Sequence, residues 1–234
     1  MGHSLTRFHE NFSILNPQPA NTMIRLAIFG SFYRGYCVLD EFITRGASVG
    51  VEVVGVVTDD PTQTFISREK RLWQYPHEPA EEVMVEKLAH KHGLPVYKGR
   101  VKTEEFYECY ASIWRPDICL SGTFGQRIEQ RMFSFPRLGF FNTHPCIGNT
   151  WPSPYAGPNP FQGLKDDGFC HTQVAFHHVD GGFDSGALVA VSDRIGFPPN
   201  ASVIDLHKMT APLVAKFAFD QTLKVIEQAA SKSA

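Results

Sequence analysis

The sequence predicts an α/β protein, a mostly parallel twisted sheet with helices on both faces. Three observations carry that prediction. Val51-Glu52-Val53-Val54-Gly55-Val56-Val57 is a valine-dominated run of the kind that forms an interior strand of a parallel sheet. Strand-like and helix-like segments alternate through the first half of the chain, as in repeated βαβ units. Ile24-Arg25-Leu26-Ala27-Ile28-Phe29-Gly30 runs through a Gly30–Gly35 turn into a segment with Val38, Leu39, Phe42 and Ile43 on one helical face.

The chain has 234 residues, 43% of them hydrophobic and 20% charged, enough to build a substantial core. Residues 1–22 are polar and irregular and are expected to form a flexible extension. Met23 directly precedes the first strand, and residues 23–230 are expected to form a single domain. A net charge of −2 gives no global basic field for a nucleic acid. The five cysteines form no C-x-x-C pair, so free thiols in a reducing cytoplasm are expected and a metal site is not. No apolar stretch is long enough to cross a bilayer, and no signal-peptide core opens the chain. The Met1–Thr6 match to a myristoylation pattern is too short to carry weight.

In chain order, the Gly30–Gly35 turn can bind an anion at the start of the following helix, with Arg34 beside it, but it lacks the Lys-Ser/Thr of a nucleotide loop. Residues 58–79 form a long connection carrying Asp59, Arg68, Lys70, Arg71, Trp73 and Tyr75, which suits either a ligand or a solvated surface. A helix is expected over 80–92, closed by Gly93, then a short strand at 95–97 and a helix over 103–114 capped by Thr103. Residues 116–121 lead into a central strand, and 122–128 form a loop at its carboxyl end, where ligands bind in this class of sheet. Residues 148–163 form a proline-rich loop anchored by Trp151, Tyr155 and Phe161. Strands are expected over 171–179 and 188–192, and a final helix from 201 to about 226. His177 and His178 point to opposite faces of their strand, which argues against a metal pair.

The chemistry centres on Phe140-Phe141-Asn142-Thr143-His144-Pro145. Side chains at i and i+2 of a strand share a face, so Asn142 and His144 point the same way from a strand that ends at the proline. Downstream, the glycine-rich turn Val179-Asp180-Gly181-Gly182-Phe183-Asp184-Ser185-Gly186 offers Asp184 as a carboxylate for the imidazole.

These segments, with Pro152–Pro160 between them, resemble the folate-dependent formyltransferases, which carry an Asn-x-His-Pro-like segment, a proline-rich loop and an aspartate in a Leu-Asp-Thr-Gly-like turn. The resemblance covers roughly residues 24–228. It implies a Rossmann-like formyltransferase fold, a catalytic domain over 23–230, and 10-formyltetrahydrofolate as formyl donor without a metal. Asn142, His144 and Asp184 would then be the catalytic set. Phe124, Gly125, Gln126, Arg127, Ile128, Val179, Asp180 and Gly181 would bind the folate, and Arg34, Tyr155 and Asn159 the acceptor.

In that chemistry an amine attacks a formamide-like carbonyl through a tetrahedral centre bearing an oxyanion. Asn142 would donate to that oxygen, His144 would stabilise it or move a proton, and Asp184 would orient the imidazole. The expected acceptor is the amine of a small metabolite, foremost a nucleotide-linked amino sugar and next an amino-acid side chain such as hydroxyornithine. The Gly-Ser-Asn-type turn of the ribonucleotide-acting members is missing at 30–35. The sequence ends soon after Ala229, without the C-terminal domain of the tRNA-formylating members, so no nucleic acid and no membrane are expected as partners. A homodimer is left open. Hydrolysis of the formyl donor and a non-catalytic binding role are the competing readings.

Overall fold

The computed structural model describes residues 23–66, 71–148 and 150–233. The expected extension at 1–22, and Arg68 and Lys70 of the 58–79 connection, lie outside the described residues. Among the described residues there are eight strands: β1 (Ile24–Gly30), β2 (Val51–Val57), β3 (Val96–Tyr97), β4 (Ile118–Gly122), β5 (Phe140–Cys146), β6 (His171–His178), β7 (Leu188–Val191) and β8 (Ile195–Gly196). They form one sheet in the order β3-β2-β1-β4-β5-β6-β7, with β8 paired to β6. Pairing is parallel from β3 through β5 and antiparallel from β5 onward. Strand order reverses between β1 and β4, the place where a crevice opens at the carboxyl ends of such a sheet.

Alternation along β1 supplies both layers. Leu26 and Ile28 pack with Val38, Leu39 and Phe42 of α1 (Phe32–Arg45), with Val85 and Leu88 of α3 (Met84–Lys91), and with Phe219 of α7 (Val203–Ser233). Ala27 and Phe29 face the other way, toward Phe106 and Tyr107 of α4 (Glu104–Glu108), Tyr110 and Trp114 beyond it, and Met132 of α5 (Gln130–Phe133). Helices therefore cover both faces, as the valine-rich run of β2 requires. The remaining helices are α2 (Pro79–Glu82) and α6 (Pro160–Asp166).

Several expectations are corrected. The helix expected over 80–92 is two, α2 and α3, divided at Val83, a β-branched residue with φ −111° and ψ 10°. The 103–114 helix is α-helical only to Glu108 and then widens into a π-type turn through Trp114. Thr103 caps it, accepting from the Phe106 N–H at 3.2 Å. The 58–79 connection contains a short 3₁₀ turn, Arg71–Gln74, and Trp73 is buried against Phe32 with ring centroids 4.4 Å apart. Pro145 does not end β5. The β4 pairing stops at Asn142, so a residue without an N–H beyond that point removes no bond from a β4 ladder.

Helix α1 begins at Phe32, so Gly35 lies inside it rather than in the turn. A Cβ on Gly35 would stand 2.5 Å from the Gly30 carbonyl carbon, and one on Gly30 would stand 2.7 Å from Gly35 Cα. The two glycines let the helix start directly against the end of β1, and this contact places Arg34 at the crevice.

Candidate active site

The crevice lies beyond the ends of β1, β4 and β5 and encloses about 350 Å³. Asp184 is the hub of its polar floor. Its Oδ1 accepts from Asn142 Nδ2 at 2.9 Å, and its Oδ2 accepts from the Gly157 N–H at 3.0 Å and lies 3.3 Å from His144 Nδ1. Asp184 has φ 48°, in the left-handed region that aspartate tolerates better than most residues, and the strained turn aims its carboxylate inward.

His144 Nε2 lies 2.9 Å from the Tyr155 carbonyl. Both ring nitrogens thus face an acceptor, and either neutral tautomer leaves one of those contacts without a proton. Burial pushes the imidazole below its ordinary pKa, while Asp184 and the Tyr155 carbonyl favour the charged form. The resting ring is therefore biased toward neutrality, yet an arriving proton finds two acceptors already in place.

Sequence reasoning missed His177. It sits directly opposite Asn142 across the β5–β6 ladder, with Nε2 3.9 Å from Asp184 Oδ1 and Nδ1 2.8 Å from the His178 carbonyl. Trp151 packs on its ring at 4.6 Å, and burial lowers its pKa to about 4. His207 of α7 also lines the crevice, buried and held neutral. Strand alternation separates His177 from His178, but only the tertiary register puts His177 beside the carboxylate.

Of the residues expected to bind folate, Phe124, Gln126, Arg127, Ile128, Val179 and Asp180 line the crevice. Gln126 also fixes its loop, accepting from the Val101 N–H and donating to the Gly99 carbonyl, both at 3.0 Å. Gly125 and Gly181 do not line it. The Gly125 N–H is taken by Asp59 Oδ2 at 2.6 Å, and the Gly181 carbonyl accepts from Arg127 Nη2. Of the residues expected on the acceptor, only Arg34 faces the cavity. The Tyr155 hydroxyl donates to Asp167 at 2.6 Å, and Asn159 Oδ1 accepts from Gln74 at 3.0 Å, so both side chains tie loops together outside it. Among the described residues no cluster of His, Cys, Asp and Glu is arranged to hold a metal.

No family model matches the chain. Methionyl-tRNA formyltransferase of Chloroflexus aggregans is 30% identical over 179 residues, 76% of this chain and 52% of that protein. Phosphoribosylglycinamide formyltransferase of Anaplasma phagocytophilum superposes with a TM-score of 0.64 over 89% of each chain at 13% identity. A formyltetrahydrofolate deformylase of Pseudomonas syringae gives 0.60 over 87% of this chain and 62% of its own at 14% identity.

Sequence relatives and structural neighbours alike are formyltransferases, which supports the folate-dependent formyltransferase family for this chain. At these identities the solved structures establish the formyltransferase fold, and the curated relatives extend the kinship to sequence. The chain spans about half the length of the curated relatives it matches. No helix among the described residues is long and apolar enough to cross a membrane.

Proposed function

We propose that this chain transfers the formyl group of 10-formyltetrahydrofolate to the amine of a small metabolite. The observation that supports this most is the convergence of Asn142, His144 and Gly157 on the two oxygens of Asp184, at the floor of a crevice with an apolar wall of Phe124, Ile128 and Val179. A flat, partly aromatic ring system fits that wall, and Asp180 and Arg127 at its margin supply polar groups for heterocycle nitrogens and oxygens. The donor brings an activated formyl carbon; the chain's residues orient it and manage charge and protons.

Asn142 spends one of its two amide hydrogens on Asp184 and keeps the other for the oxyanion. His144 takes the proton released by the attacking amine and passes it to the folate nitrogen as the formyl C–N bond to the donor breaks, and Asp184 and the Tyr155 carbonyl stabilise the imidazolium in between. Asp184 holds amide and imidazole in one geometry.

A nucleotide-linked amino sugar is the first acceptor to test and an amino-acid side chain the second. The names of the sequence relatives add methionyl-tRNA as a third. The test is a product-mass screen of these amines with 10-formyltetrahydrofolate, run on wild type and on Asn142→Ala, His144→Ala and Asp184→Ala after circular dichroism has verified folding. Loss of one oxyanion donor is expected to lower the rate about 100- to 1,000-fold in Asn142→Ala. Wild-type rates in all three variants would refute the assignment, and formate release indifferent to any added amine would replace transfer with hydrolysis.

A further inference from the structure

The acceptor side of the crevice holds a buried cation with unused donors. Arg34 is 4% exposed, and its Nη1 donates to the Thr143 carbonyl at 2.9 Å. Its Nε and Nη2 are buried and meet no acceptor among the described residues. The side chain lines the same crevice as Asn142, His144 and Asp184. Its stem runs past Gly122, where a Cβ would come within 3.2 Å of Arg34 Cγ, so the bare backbone of β4 is what leaves the stem its path.

Asp184 attracts the guanidinium across the crevice but makes no ion pair with it. Its oxygens are committed to Asn142, His144 and Gly157, and no carboxylate among the described residues pairs with Arg34 at ion-pair distance. Burial lowers the guanidinium pKa to about 10, which leaves it charged at neutral pH. A buried charge without a direct ion-pair partner is costly, and the bond to Thr143 occupies one of five N–H groups. A cap for the strand carbonyl therefore does not account for an arginine here.

The neighbouring wall contributes no anion. Arg71 and His207 line the crevice as well, with Leu72 and Pro160 as apolar surface. His207 is held edge-on to Phe161 at 4.7 Å, and Arg34 and His207 are close enough for the guanidinium to disfavour the imidazolium. A guanidinium whose Nε and Nη2 are both free presents the edge that matches two oxygens of one acid group.

We propose that Arg34, with His207 beside it, seats an acid group of the acceptor, a carboxylate or a phosphoryl, one residue from the reacting pair on β5. This rests on the formyl-transfer reading and narrows its substrate to acidic amines. Thr143, whose carbonyl anchors the guanidinium, lies between Asn142 and His144, so the acid group and the reacting amine are held against the same strand.

The test uses the full chain with a folate analogue lacking the formyl group. Thermal unfolding is followed while inorganic phosphate or acetate replaces chloride at constant ionic strength. In the wild type, one of the two anions raises the midpoint along a saturating curve and leaves analogue affinity unchanged. Arg34→Met abolishes that response, and Arg34→Lys, which keeps the charge and loses the fork, needs about 30-fold more anion or greater. Phosphate saturating alone assigns a phosphoryl, and acetate saturating alone a carboxylate. A non-saturating wild-type response, an unchanged response in Arg34→Met, or displacement of the analogue by the anion overturns the proposal. If Arg34→Met does not fold, the wild-type curves and Arg34→Lys still decide. A wild type that fails to bind the analogue overturns the formyl-transfer reading itself; analogue binding without a saturable anion overturns only the role of Arg34.

Discussion

At the scale of single residues, burial sets the charge states around the crevice. His144 is pushed toward neutrality, so its basic form already predominates below the ordinary imidazole pKa of about 6.5. The rate of formyl transfer is therefore expected to rise with pH and reach its plateau on the acid side of that value, measured as kcat against pH. A plateau reached only well above pH 7 would contradict the assignment of the base. Asp59 behaves in the opposite sense. It is 3% exposed, its Oδ2 accepts from Ser31 Oγ at 3.1 Å and from the Gly125 N–H at 2.6 Å, and burial raises its pKa to about 6. A carboxyl whose folded pKa is raised contributes stability that is lost as pH climbs through the folded value. Asparagine preserves an oxygen for both donors and carries no charge. Asp59→Asn is expected to gain on wild type by about 3 kcal/mol between pH 4 and pH 8 in urea titrations. A pH-independent difference would mean that Asp59 titrates normally.

At the scale of elements, close packing of backbone on side chain decides what each position tolerates. A Cβ on Gly55 of β2 would stand 2.2 Å from the Trp114 ring, which is itself buried. Gly55→Ala is expected to destabilise the chain by about 1–3 kcal/mol through overpacking, and Gly55→Ala with Trp114→Leu should recover part of that loss. Equal stability of Gly55→Ala and wild type would show that the ring moves freely. Period explains which elements could be read in advance. β1, β2, α1 and α7 carry long apolar patterns and appear where the sequence puts them, give or take their ends. α5, α6 and β8 have four, seven and two residues, too few for a pattern, and the split at Val83 interrupts one that looked continuous. The same division runs through the site. Asn142 and His144 share a strand face by local geometry alone, and the glycine-rich turn marked Asp184. The place of His177 depends on pairing of β5 with β6, and the outward turn of Tyr155 and Asn159 depends on how their loop is tied to Asp167 and Gln74. Neither dependence is written in residue type or spacing.

At the scale of the whole molecule, the crevice concentrates imidazoles that the fold holds neutral, and this couples the site to global stability. Burial lowers His177 to about 4, lowers His207 well below its ordinary value, and lowers His144 against the pull of Asp184. A base depressed in the folded state contributes stability that is present above its unfolded pKa and lost as pH falls. Each of the three imidazoles therefore draws the equilibrium toward the unfolded chain below about pH 6.5, by up to about 1.4 kcal/mol per pH unit. Asp59 opposes them as pH falls through about 6, because there the folded state holds a proton the unfolded chain releases. Stability is expected to be flat near pH 7–8 and to fall between pH 6 and pH 4, with a slope that the imidazoles set against Asp59, read from urea midpoints at constant m. His177→Gln removes one titrating group while keeping a planar polar side chain beside Asp184, and it should reduce that slope by about 1.4 kcal/mol per pH unit. An unchanged slope would place the acid sensitivity elsewhere. The crevice that holds neutral bases beside a guanidinium without an ion-pair partner is then also a source of acid sensitivity for the whole fold.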